Sequence, residues 1–243
     1  MFRGGLLAVD EVICRAPRGG CDAAERNELP EVVLPSRGVF TLHRRGTQIT
    51  VDSTTAFVLN GEYRVSHPCD GGDRCVVLRF APGLHEEALG DVWLVPAPRR
   101  LAIGVGLDQL QTEEEVMWIL AQLAQAPPLR RSPRIERVRE LLAANPAARW
   151  KLADIARAVH ISPYHLARQF RATTGQTIWC YLTGLRLAAA LDRLRGGEDN
   201  LARLAAELGF ASHSHLTERF HQIYGATPSE VRKILTAKGG GTA

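Results

Sequence analysis

The 243-residue sequence predicts an α+β multidomain chain: a β-barrel or sandwich first, then an all-α domain with two helix-turn-helix motifs. Three observations predict it. Short apolar runs divided by turn residues recur up to about residue 80, the pattern of a small all-β unit. Helical apolar spacing takes over after Pro96-Ala97-Pro98. The last hundred residues then carry one helix-turn-helix pattern written twice.

The β runs are Val32–Leu34, Gly38–His43, Gln48–Val51, Ala56–Leu59, Tyr63–Ser66 and Cys75–Phe80. Pro35-Ser36-Arg37-Gly38, Arg45-Gly46, Asn60-Gly61 and Asp70-Gly71-Gly72-Asp73 divide them. Asn60-Gly61 predicts a two-residue hairpin turn, because a type I′ turn needs φ > 0 at both positions. Leu110–Ala124 predicts a helix: Glu113, Glu114 and Glu115 lie in its early part, and Val116, Ile119, Leu120 and Leu123 keep helical spacing. It stops at Ala126-Pro127-Pro128, and Leu129–Pro133 reads as a short basic linker. The expected boundaries are 1–100 for the β domain, 101–132 for helix and linker, and 133–238 for the helical domain, with a frayed tail from Lys238.

The helical domain opens with a helix near Arg134–Ala144, whose Ile135, Val138, Leu141 and Leu142 form one apolar stripe, with Arg134, Arg137 and Arg139 on the other face. The first repeat copy runs Leu152 to Ser162 and on to Leu166, Phe170, Gly175 and Thr177. The second runs Leu201 to Ser212 and on to Leu216, Phe220, Gly225 and Thr227. Their offset is 49 residues before the turn and 50 after it, so the second turn has one extra residue. Ala156 and Ala205 permit close helix crossing. Ser162 and Ser212 are N-caps, each able to accept an orphan backbone N–H, and Pro163 fits the first helical position. Leu166 with Phe170 and Leu216 with Phe220 are four apart and face inward. Gly175 and Gly225 end the helices, and a longer helix near Thr177–Leu194 separates the copies, for seven helices in all.

Charge divides along the same line. Residues 1–129 hold 12 Lys/Arg against 17 Asp/Glu, and residues 130–243 hold 18 against 9. A basic half joined to an acidic one is the footprint of a chain that meets phosphate with one part only. No apolar run approaches the roughly 18 residues of a membrane span, and Met1–Asp10 lacks the apolar core of a signal peptide. Five cysteines, an odd count, suit a reducing compartment, so a cytoplasmic protein is expected.

Residues from about Arg134 to Leu235 resemble the DNA-binding domain of the AraC/XylS family of bacterial transcription regulators. The likeness rests on Ser162-Pro163-Tyr164-His165-Leu166-Ala167-Arg168-Gln169-Phe170 with Gly175, on Leu208-Gly209-Phe210-Ala211-Ser212 with His215-Leu216 and Arg219-Phe220, and on the run Tyr224–Arg232. The resemblance implies a seven-helix unit gripping two successive major-groove segments. Carried across, the base-reading positions are Tyr164, Ala167 and Arg168, then His213, Ser214, His215, Thr217 and Glu218. Arg168 is the strongest of these, since a guanidinium can bond guanine O6 and N7 together. Ala167 offers only a methyl, and Glu218 could accept from cytosine N4 or repel phosphate. Lys151, Gln169, Arg171 and Arg219 are candidates for phosphate contacts that set register without reading sequence. His213 and His215 diverge by about 200° on a helix and make poor shared metal ligands.

The first half resembles the cupin-like effector-binding or dimerisation domain of the same family, at Gly61-Glu62-Tyr63-Arg64-Val65-Ser66-His67-Pro68 and Gly71-Gly72-Asp73-Arg74-Cys75. A small barrel can hold one ligand; the effector-binding candidates are Phe40, His43, Phe57, Arg64 and His67. His43, His67, Cys69 and Cys75, with Cys14 and Cys21, carry donors that suit zinc or copper(I). Their spacings match no compact zinc pattern, and the multi-histidine set of enzymatic cupins is missing, so neither metal nor cofactor is expected. The helix Leu110–Ala124 either dimerises or packs on the barrel. The expected function is a sequence-specific transcription regulator, an activator and not an enzyme. Its expected partners are double-stranded promoter DNA, RNA polymerase, a small-molecule effector and a second copy of the chain, with no membrane. The alternative is a cupin metalloenzyme, or a metal or thiol sensor, with an accessory DNA-binding domain.

Overall fold

A computed structural model describes residues 2–3, 7–14, 24–44, 46–67, 72–80, 95–96, 109–125 and 132–239. The strands are β1 (Phe2–Arg3), β2 (Leu7–Cys14), β3 (Glu25–Arg37), β4 (Val39–Arg44), β5 (Thr47–Asp52), β6 (Thr55–Ser66), β7 (Asp73–Phe80) and β8 (Val95–Pro96). The helices are α1 (Gln109–Gln125), α2 (Pro133–Ala144), α3 (Leu152–Ala158), α4 (Pro163–Thr174), α5 (Ile178–Arg195), α6 (Leu201–Glu207), α7 (His213–Tyr224) and α8 (Pro228–Gly239). Cys21, Cys69, residues 70–71 of the expected Asp70–Asp73 turn, residues 129–131 of the expected Leu129–Pro133 linker and the residues after 239 lie outside the described residues, and Pro133 already belongs to α2.

All pairings are antiparallel, in the order β1-β2-β7-β3-β6-β4-β5, with β8 on β6. Among the described residues no ladder joins β1 to β5, so the expected barrel is here an open sheet. β3 loses register between Asn27 and Glu31 and between Pro35 and Arg37. Each break includes a proline, Pro30 or Pro35, which has no N–H to give the ladder.

The hairpin expected at Asn60-Gly61 is not formed. β6 runs straight through, with Gly61 at φ +80° opposite Asn27. The left-handed conformation that favours glycine serves a kink within a strand, next to the β3 register break and before β6 changes partner from β3 to β4 at Arg64. The two expected strands on either side of it are therefore one.

Side chains alternate across this sheet, and both faces are buried. Val32, Leu34, Ala56, Val58, Val76 and Leu78 form one face, covered by Val116 and Leu120 of α1. Val33, Phe57, Leu59, Tyr63 and Val77 form the other, closed by Phe40, Leu42, Ile49 and Val51 of β4 and β5. Leu110, Met117 and Trp118 stay exposed on the outer side of α1. Of the two roles open to α1, packing on the sheet is thus in place, and an apolar outer face is left over.

Residues 132–239 form seven helices around two cores. Ile135, Val138 and Leu142 of α2, with Ile155, Leu166 and Phe170, pack on Tyr181, Leu182 and Leu185 at the start of α5. Leu204, Leu216, Phe220, Tyr224 and Val231 pack on Leu187, Ala190, Leu191 and Leu194 further along the same helix. α5 is a spine shared by two units. The sheet meets this spine through buried polar groups: the Asp52 carboxylate accepts from Arg139 Nη2 in α2 and from Tyr181 Oη in α5. Arg139, expected on the outer face of α2 with Arg134 and Arg137, is instead buried against the sheet. Glu136 of α2 accepts the Thr50 N–H of β5 at 3.0 Å. Farther along α5, Asp192 pairs with Arg37 and Arg74.

Candidate nucleic-acid interface

The surface begins with two helix pairs of one design. α3 passes to α4 through the four residues Val159–Ser162, and α6 passes to α7 through the five residues Leu208–Ser212. In each turn a backbone N–H reaches back five residues, Ile161 to the Ala156 carbonyl and Phe210 to the Ala205 carbonyl. That bond closes the helix C-terminus and leaves the residue before it left-handed. The second copy places Gly209 there at φ +75°; the first places His160 at φ +56°.

The expected caps are formed. Ser162 Oγ accepts from His165 N at 3.2 Å, and Ser212 Oγ accepts from His215 N at 3.1 Å. Gly175 and Gly225 are both left-handed and end α4 and α7. Three further caps escaped the sequence reading, the first being Thr177, whose Oγ1 accepts from Cys180 N at the start of α5. Asn200 starts α6 by accepting from Arg203 N. Thr227 and Glu230 exchange hydrogen bonds at the start of α8, as a Thr-x-x-Glu spacing allows.

Leu166, Phe170, Leu216 and Phe220 are fully buried, so the opposite faces of α4 and α7 point to water. On α4, Tyr164, Ala167, Arg168 and Arg171 are exposed, Tyr164 by 77%. Neither the Arg168 nor the Arg171 side chain makes a hydrogen bond or ion pair among the described residues. Both are positioned cations free to meet an anion. On α7, His213, Ser214 and Glu218 are exposed, with His213 near the Thr217 hydroxyl and Glu218 accepting from Gln222. His215 is half-buried: its ring packs edge-on against Phe210 at 5.6 Å, and its Nδ1 accepts the Ala211 N–H at 3.4 Å. That gives it a structural duty in the longer turn.

The phosphate candidates divide. Lys151 is exposed at the start of α3 and Arg171 on α4. Gln169 is half-buried and donates to Ser132 Oγ, tying α4 to the start of α2. Arg219 lies over the Trp179 ring at 4.9 Å and donates to Gln222 Oε1. This cation–π contact links α7 to the first turn of α5. Trp179 and Trp150 were missed from the sequence. With Tyr164, Arg168 and Arg171 they line a groove of 540 Å³ beside α4.

Arg186 of α5 sets the two units against each other. Its guanidinium donates to the carbonyls of Pro146 and Ala148 before α3 and of Gly209 in the second turn. Burial lowers its pKa, yet three carbonyls hold its protons.

The effector candidates fall into two groups, Phe40, Phe57 and His67 inside the sheet domain and His43 with Arg64 at a cleft. Phe40 and Phe57 fill the sheet core, edge to face at 6.0 Å. His43 and Arg64 are cross-strand partners at a cleft of 590 Å³ that also holds Arg26 and Arg44, with His43 Nε2 bonded to Ser66 Oγ at 2.6 Å. His67 is buried in the first group, its ring tilted against Phe40 at 6.3 Å and its Nε2 bonded to Asp73 Oδ1. No helix among the described residues is long and apolar enough to cross a membrane.

Residues 155–234 match the family model described as a helix-turn-helix domain. The chain is 38% identical over 92 residues to a putative AraC-like transcription regulator of Streptomyces lividans, covering 38% of this chain and 30% of that protein. It is 28% identical over 131 residues to the HTH-type transcriptional activator RhaR of Pectobacterium atrosepticum, covering 51% of this chain and 46% of that one. The chain thus spans less than half the length of these curated relatives. Among solved structures it is similar to ToxT from Vibrio cholerae, at 14% identity and a TM-score of 0.42 over 95% of this chain and 99% of that one.

Proposed function

We propose that this chain is a sequence-specific DNA-binding transcription regulator of the AraC type, an activator that works by binding and not by catalysis. One observation carries the reading: α4 and α7 are built alike, each burying a Leu–Phe pair under a serine cap while its polar face stays in water. In a helix-turn-helix that exposed face enters the major groove. In this reading α3–α4 and α6–α7 are the two motifs. Tyr164, Ala167 and Arg168 read one groove segment, and His213, Ser214, Thr217 and Glu218 read the next. Lys151, Arg171 and Arg219 hold phosphates. Regions 1–100, 101–132 and 133–238 are its sensor, linker and DNA-binding parts.

The cupin-like first part takes the effector. The cleft that brings Arg26, Arg44, Arg64 and His43 together suits a small anion. The exposed Leu110, Met117 and Trp118 of α1 suit a second copy of the chain. Promoter DNA and RNA polymerase complete the partners of a cytoplasmic regulator.

The test is selection of bound sites from a random duplex pool, followed by footprinting. A preferred site should be bound some 10³-fold or more tighter than random DNA. Arg168→Ala should cost about 1–3 kcal/mol on that site and relax preference at one base pair. Unselective binding, or an unchanged footprint in the variant, would reject α4 as a reading helix.

A further inference from the structure

We propose that Cys14, His67 and Asp73 form a binding site for a divalent metal ion of the zinc class. One ligand atom from each lies within 4.8 Å of the others. The three come from separate pieces of chain: the last residue of β2, the residue after β6 and the first residue of β7. The fold itself builds the cluster. Cys14 and Asp73 are register partners across the β2–β7 ladder, which puts both side chains on one face. His67 enters from the end of β6 and brings Nε2 to 2.5 Å from Asp73 Oδ1. His67 and Asp73 are buried, and Cys14 is half-buried, so the site is closed at its base and reachable on the sulfur side.

The donor set decides the ion. A thiolate, an imidazole nitrogen and a carboxylate oxygen are the three donor types zinc accepts. Calcium and magnesium favour all-oxygen shells. Among the described residues no Lys or Arg pairs with the Asp73 carboxylate, whose partners are the His67 ring and the Cys75 thiol at 3.6 Å. Cys75 thus holds the second carboxylate oxygen from behind, as outer-shell groups of metal sites do. On binding, the Cys14 thiol proton and the proton held between His67 Nε2 and Asp73 Oδ1 both leave to solvent, which frees the sulfur, the Nε2 lone pair and the carboxylate oxygen for the metal. Metal–ligand bonds of about 2.0–2.1 Å need the nitrogen and oxygen to part to about 3.3 Å, which a small rotation of Asp73 supplies. Three protein ligands leave a fourth position for water. Asp73 is followed by Arg74, whose guanidinium reaches Asp192 of α5, so the site borders the contact between sheet and helices.

The experiment uses the reduced full-length chain, stripped with a chelator, loaded with Co2+ or Zn2+ and desalted. One equivalent of metal per chain is expected, with a thiolate-to-metal charge-transfer band for Co2+. Both are lost in Cys14→Ser and in His67→Gln and kept in Cys180→Ser, whose cysteine is exposed on α5. Cys21 and Cys69 stay in every variant, so metal held by them would survive Cys14→Ser and overturn the assignment. A second measurement needs no variant: Zn2+ should abolish alkylation of Cys14 in the native chain and leave Cys180 reactive. Equal alkylation of Cys14 with and without Zn2+ overturns the proposal. Metal binding stands or falls apart from the DNA-binding reading, since neither readout involves DNA.

Discussion

Asp52, the last residue of β5, accepts a 2.8 Å hydrogen bond from Arg139 Nη2 of α2, and both side chains are almost wholly out of water. Tyr181 Oη of α5 donates to the same carboxylate oxygen at 2.6 Å, and Thr54 donates twice to the other. Burial opposes the Arg139 charge, but Asp52, Tyr181 and Glu136 outweigh it and hold its pKa raised. Burial, and then the Asp52 charge, push the Tyr181 hydroxyl well above its usual range. This network joins the end of β5 to α2 and to the start of α5.

Arg139→Leu should therefore cost about 3–5 kcal/mol, because it strands a buried carboxylate. Tyr181→Phe should cost about 1.5–3 kcal/mol, the worth of a hydrogen bond to a charged group. Asp52→Leu combined with Arg139→Leu should cost less than the sum of the two single changes. Urea unfolding of the four proteins of the cycle measures the coupling, and additive costs would show that the pair does not act as a unit.

The left-handed residues of the two turns should respond with opposite signs. Gly209→Ala places a Cβ at φ +75° and within 2.9 Å of Arg186 Nη2. A loss of about 1–3 kcal/mol is expected from the backbone alone. His160→Gly relieves the same strain in the first turn and should be neutral or stabilising by up to about 1 kcal/mol. Thermal unfolding of both variants checks the contrast.

Phosphate contacts should show in salt dependence. Arg171→Ala is expected to weaken binding to all duplexes alike and to reduce the slope of log affinity against log salt by about 1. Gln169→Ala, at a residue occupied with Ser132, should leave that slope unchanged. Titrations at several salt concentrations separate the two.

Glu198 predicts an acid-labile element. Its carboxylate accepts from the Asn200 N–H and from Arg203 and Arg193, which pull its pKa from 4.5 to about 2. The folded value lies below the unfolded one, so the contribution is present above about 4.5 and fades as pH falls toward 2. Glu198→Gln should remove that dependence while leaving the reading helices in place. Stability of both proteins between neutral pH and pH 2 is the check; parallel curves would deny Glu198 the role.

Local chemistry made the helical half readable in advance. The serine caps, the Leu–Phe pairs four apart, the closing glycines and the extra residue of the second turn all act within a few positions of the chain, and each is found where the spacing placed it. The sheet was less legible. Asn60-Gly61 satisfies a hairpin and a kinked strand equally well, and only the register of β3 against β6 chose between them. β2 was missed because its pairing with β7 is not recorded in its own residues. Helical periodicity was enough to place Tyr164, Ala167 and Arg168 on the exposed face of α4 and His213, Ser214 and Glu218 on that of α7. Arg219 and His215 acquired structural partners, Trp179 and Phe210, the first of them from a distant helix.

The sequence alone was enough for the two-part architecture, the seven helices and the inward Leu–Phe pairs, since helix period and capping are short-range effects, while Arg139, expected outward, is buried by the sheet. Tertiary structure alone decided that Asp52 meets Arg139 across 87 residues and that Cys14, His67 and Asp73 converge. Strand register and helix docking set those meetings, and both are outcomes of burying apolar faces together rather than of any local pattern.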